Sequence, residues 1–328
     1  MTSQPHQMRA DASVAVVIPA YNEEARIGRT LATVPASVRT IYAVNDASTD
    51  STAAAIRRAA ETDSRIVLVD LPINSGVGGA IVAGYLRVIE SSEDIAVVMA
   101  GDGQMDPGDL DDLLAPVKAG LCDYAKGNRF LSDKSSIKDI PRHRLLGNLG
   151  LSALTKIASG YWHVSDSQCG YTAINRRALL AVDWSECYPR YGCPNDYLVR
   201  LNIANMKVMD VPVRAVYGDD WRSHMRPGKV VFPMLRLLSK LFVTRMFRKY
   251  VVLNGHPIAL VYTFSCLGFV ISMLLFLYVA VRTISTGIIP QTATILWGMG
   301  SIVSIQLLLQ AFEMDHRDNE WLCAHRRD

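Results

Sequence analysis

VAVVIPAYNEEARIGRTL, residues 14–31, decides the fold: a short β-branched run, Val14–Pro19, breaks at a polar loop and gives way to helical spacing over Asn22–Leu31. The succession repeats down the chain. Ile41–Asn45 reads as a second strand with Ser51–Ala60 as its helix, Ile66–Val69 as a third strand with Gly78–Glu90 as its helix, and Ile95–Met99 as a fourth. Unbroken apolar strands that alternate with helices call for a parallel sheet covered on both faces. The expected class is therefore α/β, a doubly wound domain, and such domains bind ligands at the carboxyl ends of their strands.

The 328 residues can hold one good-sized domain and something more. A net charge of +3, with no dense Lys/Arg block carrying aromatics, argues against a nucleic-acid partner. The six cysteines, Cys122, Cys169, Cys187, Cys193, Cys266 and Cys323, form no CxxC pair and no metal-ligand spacing, as expected of reduced thiols in a cytosol-facing protein. Met1–Asp11 is polar and lacks the apolar core of a signal peptide.

The last third differs in character. Ile258–Val281 and Ile288–Phe312 carry no charge, each is long enough to cross a bilayer, and the short join Arg282–Gly287 makes them a hairpin. Ahead of them, Val230–Tyr250 places Leu235, Leu238, Phe242 and Met246 near one side of a helix. Arg236, Lys240, Arg245, Arg248 and Lys249 surround the remainder, a pattern suited to covering the domain's own core or, directly ahead of two such spans, to lying in a membrane interface. Arg245, Arg248 and Lys249 precede the spans, Arg317, Arg326 and Arg327 follow them, and only Arg282 lies between. The positive-inside rule then puts the large domain and both termini in the cytoplasm of a multi-pass membrane protein. The expected division is a polar tail over 1–13, the α/β domain over 14–229, an interfacial helix over 230–250, the hairpin over 251–313 and a cytoplasmic tail over 314–328.

Four polar clusters follow the strands. Pro19–Glu24 can start a helix, with Asn22 as cap, or offer Tyr21 to stack on a flat base. In Asn45–Asp50 a residue such as Asp50 or Ser48 can cap the next helix, and a carboxylate can accept from a base or ribose. Asn74–Ala80 is glycine-rich at a helix start, where phosphate is favoured, although its order is neither GxGxxG nor a Walker loop. In Ala100–Pro107, Asp106-Pro107 is an ordinary helix start, while Asp102 between two glycines is open to a ligand. Hard oxygen ligands there suit Mg²⁺ or Mn²⁺ held by one or two carboxylates together with substrate phosphates.

Taken together, VVIPAYNEE (Val16–Glu24), VNDASTDST (Val44–Thr52), NSGVGGA (Asn74–Ala80), GDGQMDP (Gly101–Pro107), GNRF (Gly127–Phe130) and DSQCGY (Asp166–Tyr171) resemble family 2 glycosyltransferases. The narrower resemblance is to dolichyl-phosphate mannose synthases and bacterial polyprenyl-phosphate glycosyltransferases, over about Val14 to Lys229. It implies a nucleotide-sugar-binding α/β fold of the GT-A type. It implies that Pro19, Tyr21, Glu23 and Asp46 hold base and ribose with Asn74 and Gly76 close by, that Asp102 and Gln104 lie at the metal and diphosphate, and that Arg129 contacts phosphate. Two positions depart from the pattern. Ala100 stands where the family usually has the first acid of D-x-D, and Asn45 where it usually has Asp.

The reaction implied is inverting transfer of a hexose, from a UDP-glucose or GDP-mannose type of donor, to a polyprenyl monophosphate. A phosphate monoester is mostly dianionic near pH 7, so this nucleophile needs no strong general base. It needs cations beside the diphosphate, and Arg129, Arg142, Arg144, Arg226 and Lys229 are the candidates. A rival acceptor, a lipid hydroxyl, would require a base, and the resemblance makes Asp196 the candidate catalytic carboxylate for it; by sequence its first role is to cap the helix Tyr197–Asn205. A catalytically silent scaffold is the other alternative, supported by Ala100 alone. A homo-oligomer is compatible with either reading.

Overall fold

The computed structural model describes residues 12–131, 142–214, 227–253 and 255–324, with the side chains of 142–149 and 227–231 left out. The described residues form two compact units, one running to Phe242 and resuming at Trp321, the other Val243–Glu320.

The first unit is built on a seven-stranded sheet of order β3-β2-β1-β4-β6-β5-β7. Strands β1 (Val14–Ala20), β2 (Thr40–Asn45), β3 (Ile66–Asp70) and β4 (Ile95–Val98) are mutually parallel, as the strand–helix alternation requires. Helices α1 (Ile27–Ala32), α2 (Thr52–Thr62), α3 (Gly76–Ser91) and α4 (Leu110–Lys118) join them and lead to β5 (Tyr124–Asn128). After α5 (Arg142–Ser159), β6 (Thr172–Asn175) enters antiparallel between β4 and β5. Helices α6 (Arg176–Ala181) and α7 (Cys193–Ile203) then lead to β7 (Val208–Pro212), parallel to β5. The sheet is thus mixed. The reversal of β6 has a consequence for the site: it carries the loop preceding that strand, residues 160–171, to the edge where β4 and β5 end.

Strand β1 shows why the sheet is buried on both sides. Val14, Val16, Ile18 and Ala20 point into one core cluster and Ala15 and Val17 into the other. Alternation of this kind with no polar member leaves neither face for water. Helix α1 is shorter than its apolar spacing predicts, because residues 21–24 are held in a loop by hydrogen bonds to residues 48–52. Helix α3 lies close on β1: a Cβ added at Gly84 would come within 2.2 Å of Val17 Cγ1.

Helix α8 (Pro227–Arg245) begins in the first unit. Its buried line there is Met234, Leu238 and Leu241, with Met234 and Leu238 packed beside Ala158. This shifts the expected face: Leu238 is buried, but Leu235, expected beside it, is exposed together with Phe232, Arg236 and Lys240. The chain returns at Trp321. Leu322 is wholly buried in the core and Cys323 bridges to Val208 of β7, so the end of the expected cytoplasmic tail, from Trp321 to Ala324, belongs to the first unit.

The second unit holds a π-helical stretch, Met246–Leu253, and two 29-residue helices, α9 (Ile258–Thr286) and α10 (Gln291–Asn319). Each contains a stretch long and apolar enough to cross a membrane, and only 11% of that stretch is buried. A core helix of a soluble protein would be mostly buried. The two helices meet along small residues, Ser265 Oγ donating to the Ser304 carbonyl at 2.9 Å, with Gly268 packed against Ser304. Small residues let transmembrane helices approach closely. At the end of the pair, Arg245 and Asp315, both fully buried, form a two-pronged ion pair at 2.8 Å on each prong. The π-winding brings residues five apart to one place, and Tyr250 donates to the same carboxylate at 2.6 Å. Asn319 accepts from Lys249 Nζ at 2.7 Å and donates to Tyr250 Oη.

Two substitutions test these contacts. Gly84→Ala, which by helix propensity alone should stabilise, is expected to cost about 1–3 kcal/mol by overpacking against Val17, read as a lower midpoint in thermal unfolding. Asp315→Ala strands the Arg245 charge and is expected to cost on the order of 3–5 kcal/mol. Size-exclusion profiles in detergent should show aggregation, and the pair Arg245→Met with Asp315→Leu should recover a monodisperse peak.

Candidate active site

Three loops leave adjacent strands at one edge of the sheet. The loop after β1 and the loop after β2 are stitched to each other: Asn22 N–H donates to Ser48 Oγ at 3.0 Å, Thr49 N–H to Asn22 Oδ1 at 2.9 Å, Glu23 N–H to Thr52 Oγ1 at 2.8 Å and Ser51 N–H to Glu24 Oε2 at 2.9 Å. Asn22 and Ala47 take left-handed backbone, φ +56° and +52°, a strain that a platform cross-linked this densely can hold. Asn22 therefore bridges loops and does not cap α1. Tyr21 stands 47% exposed at the rim, where a ring can stack on a base. Pro19 lies below it, its carbonyl accepting from Gly101 N–H of the third loop at 3.3 Å.

Asn45 is explained by a neighbour on the adjacent strand. It is in register with Asp70 at the end of β3 and donates its amide to Asp70 Oδ1 at 2.7 Å, while Asp70 Oδ2 pairs with Arg57. An aspartate at 45 would set two carboxylates against each other, so the Asn suits this chain's Asp70. Asp46 is buried, and one of its oxygens accepts from Ser75 N–H at 2.6 Å, while Asn74 donates to the Asp46 carbonyl. These bonds draw the 71–75 segment in beside the β2 loop. They also give Asp46 and Asn74 a structural duty beside the expected contact with base and ribose.

On the third loop, Asp102 and Gln104 are half-buried and adjacent, with Gln104 N–H donating to Asp102 Oδ1 at 3.1 Å. Burial raises the Glu23 carboxyl above its ordinary value; Arg26 opposes this, and the charges of Asp102 and Asp50 add to it. The three acids thus share one electrostatic neighbourhood. Asp106 caps the turn that follows, accepting from Gly108 N–H at 2.8 Å as its sequence predicts. Arg214 grips this turn through Asp109 and Asp106.

At the ends of β5 and β6, Arg129 and Asp166 pair in fork fashion, Nε to Oδ2 at 2.7 Å and Nη2 to Oδ1 at 2.9 Å. The Arg129 side chain is 26% exposed and Asp166 is 1% exposed, so a buried carboxylate aims a partly open guanidinium. Burial would raise the Asp166 carboxyl, but the Arg129 hydrogen bonds and charge outweigh it and hold it below the ordinary range. Beneath this pair lies Lys126, fully buried, with Nζ 2.5 Å from the Cys169 carbonyl. Nothing in its sequence setting, the interior of an apolar strand, flags this lysine.

Two expected roles meet competition. The glycines of 76–79 do permit close backbone approach, but what approaches is protein: Gly78 and Gly79 N–H donate to the Pro189 carbonyl at 2.8 and 3.2 Å, and a Cβ at Gly76 would lie 2.6 Å from it. Asp196 sits inside α7 and does not cap it. It is 1% exposed, its Oδ2 accepts from Tyr188 N–H at 2.6 Å, and both oxygens bind Arg200 Nε at 3.0 and 3.1 Å. A carboxylate so occupied braces the 188–193 segment and is poorly placed to abstract a proton. Arg226 lies outside the described residues, as do the side chains of Arg142, Arg144 and Lys229.

The model of glycosyl transferase family 2 matches residues 15–182, which span the three loops and both Arg129 and Asp166. The chain belongs to this family. Among relatives of the family 2 domain, the UDP-N-acetylglucosamine–dolichyl-phosphate N-acetylglucosaminyltransferase of Methanococcus voltae is 29% identical over 72% of this chain and 98% of its own. The undecaprenyl-phosphate mannosyltransferase of Micrococcus luteus is 30% identical over 66% and 89%. Glucosyl-3-phosphoglycerate synthase of Mycobacterium tuberculosis, crystallised with Mn²⁺, UDP and phosphoglyceric acid, shares the GT-A-like fold at a TM-score of 0.53 and 18% identity, over 71% of this chain and 78% of that one.

Asn45→Asp is expected to lose about 1 kcal/mol of stability through the lost hydrogen bond and the new repulsion at Asp70. Asp70→Asn in the same chain should restore the thermal midpoint.

Proposed function

We propose that this family 2 glycosyltransferase moves a hexose from a nucleotide-diphosphate sugar to a polyprenyl or dolichyl monophosphate at the cytoplasmic face of a membrane. The observation that carries the reading is the attachment of two apolar, mostly uncovered helices, α9 and α10, to a domain with the nucleotide-sugar loops. The names of the relatives from Methanococcus voltae and Micrococcus luteus support a lipid phosphate as the acceptor.

Tyr21, Pro19 and Glu23 would take the base and ribose, with Asp46, Asn74 and Gly76 shaping that side. Asp102 and Gln104 offer two oxygen donors, a set that fits Mg²⁺ or Mn²⁺ completed by diphosphate oxygens. Among the described residues no group of three or more His, Cys, Asp or Glu could hold a metal by itself, so the fit depends on the donor. Such an ion neutralises charge that develops on the leaving diphosphate. Arg129, aimed by Asp166, would hold the acceptor phosphate, with Arg144, Arg226 and Lys229 as further cations. The phosphate attacks the anomeric carbon opposite the leaving group, which inverts that centre. It arrives deprotonated, so the commitment of Asp196 to Arg200 and Tyr188 costs this reaction nothing.

Several observations support membrane docking on the cytoplasmic side. Phe232 and Leu235 are exposed beside Arg236 and Lys240, and Phe247, Val251, Val252 and Leu253 are exposed ahead of α9. The chain leaves the first unit before the hairpin and rejoins it after, which favours one face for both ends.

Membranes containing the protein, incubated with labelled UDP- and GDP-sugars and a polyprenyl phosphate, are expected to yield an organic-extractable sugar lipid from one donor. Asp102→Ala should reduce that transfer about 10²–10³-fold. A donor-dependent product appearing only on a lipid hydroxyl would overturn the acceptor assignment.

A further inference from the structure

We propose that Lys126 is a positioning residue for the acceptor phosphate: its buried ammonium is the internal counterion to Asp166 and Asp210 that lets Arg129 face an anionic substrate. The inference rests on the reading of Arg129 as an acceptor contact.

Four charged groups gather under the ends of β5, β6 and β7. Lys126 is in register with Asp210 on β7 and Thr172 on β6, and is held by the Cys169 carbonyl. Asp210 Oδ2 accepts from Asn128 Nδ2 at 2.6 Å and Ser165 N–H at 2.9 Å, while its Oδ1, also buried, accepts no hydrogen bond among the described residues. Asp166 is paired with Arg129. Burial lowers the Lys126 ammonium and the charges of Asp166 and Asp210 oppose this, while burial lifts the Asp210 carboxyl and the charge of Lys126 opposes that. Two basic and two acidic groups thus act on one another without Lys126 touching either carboxylate, and of the four only the arginine is a candidate to meet a ligand.

The balance matters because a buried carboxylate left without a cation is strongly unfavourable. Were Arg129 the sole counterion beneath this loop, turning its guanidinium toward a phosphate would uncover two negative charges. With Lys126 in place, one of those charges keeps a cation when Arg129 turns outward, so a single carboxylate is uncovered and not two. A lysine that merely fastened the Cys169 loop would act through one hydrogen bond, and the charge of Asp210 would be irrelevant to it. That difference supplies the test.

Transfer kinetics of the full-length protein in detergent, with polyprenyl phosphate and the preferred donor, give both Michaelis constants. Lys126→Met is expected to raise the acceptor KM about tenfold or more, equivalent to about 1.4 kcal/mol, with the donor KM little changed. Adding Asp210→Asn, which keeps an acceptor for Asn128 and Ser165 while removing one negative charge, should return the acceptor KM most of the way. A Lys126→Met protein with unchanged acceptor KM, or a double variant with no recovery, overturns the inference. If Lys126→Met fails to fold, Asp210→Asn alone decides: the acceptor KM should fall or hold, and a rise overturns the inference. Absence of transfer to polyprenyl phosphate by the wild type overturns the acceptor reading and this inference together. Transfer by the wild type with the wrong variant pattern overturns this inference alone.

Discussion

The pairing of β1 with a parallel neighbour on each side is the constraint from which the site descends. Parallel ladders force all three strands to end at the same edge, so the loops after β1, β2 and β4 have no choice but to meet. The ladder even continues past the strands, with Asp46 N–H on the Ala20 carbonyl and Gly101 N–H on the Pro19 carbonyl. Position is thereby imposed on Tyr21, Asp46 and Asp102 by backbone hydrogen bonds that are indifferent to side-chain identity. Chemistry can vary at these places while geometry stays.

That indifference explains how Asn45 is tolerated. The amide replaces a charge and is matched by Asp70, a residue in register on the next strand. Ala100 has no such match among the described residues: its N–H lies against Met105 Sδ, and of the loop's two acids Asp106 is taken up by Gly108 N–H and Arg214, which leaves Asp102. The two departures from the family pattern are thus unlike. One is a local exchange of partners, the other a subtraction that leaves the cation more dependent on the donor's phosphates.

Much of the fold was readable because β1 to β4 are apolar without interruption, and period and turn residues suffice for such elements. The two long apolar helices were readable for the same reason. What the sequence hides is what its elements do to each other. Helix α1 begins at Ile27 and not Asn22, because Thr49 and Ser48 on another loop claim Asn22. The glycines of 76–79 read as a phosphate cradle, yet the Tyr188–Pro189 backbone over a hundred residues away fills it. Asp196 reads as a helix cap or a candidate base, while Arg200, one helical turn on, takes both of its oxygens. For Asn22 and the glycines a partner far along the chain settled a role that local composition left open, and no periodicity encodes such a partner; for Asp196 the partner lies in its own helix.

The return of the chain at Trp321 has a bearing on biosynthesis. Leu322, wholly buried in the same core cluster as Val17 and Tyr85, contributes about 1.5–3 kcal/mol of burial to a domain whose other members precede it by more than 70 residues. Those intervening residues are the two spans and their approach. During synthesis the domain therefore has its sheet early but lacks its closing residue until both helices have left the ribosome. Completion of this core waits on synthesis of both apolar helices, so a glycosyltransferase domain that is fully closed is one whose apolar hairpin has already been made.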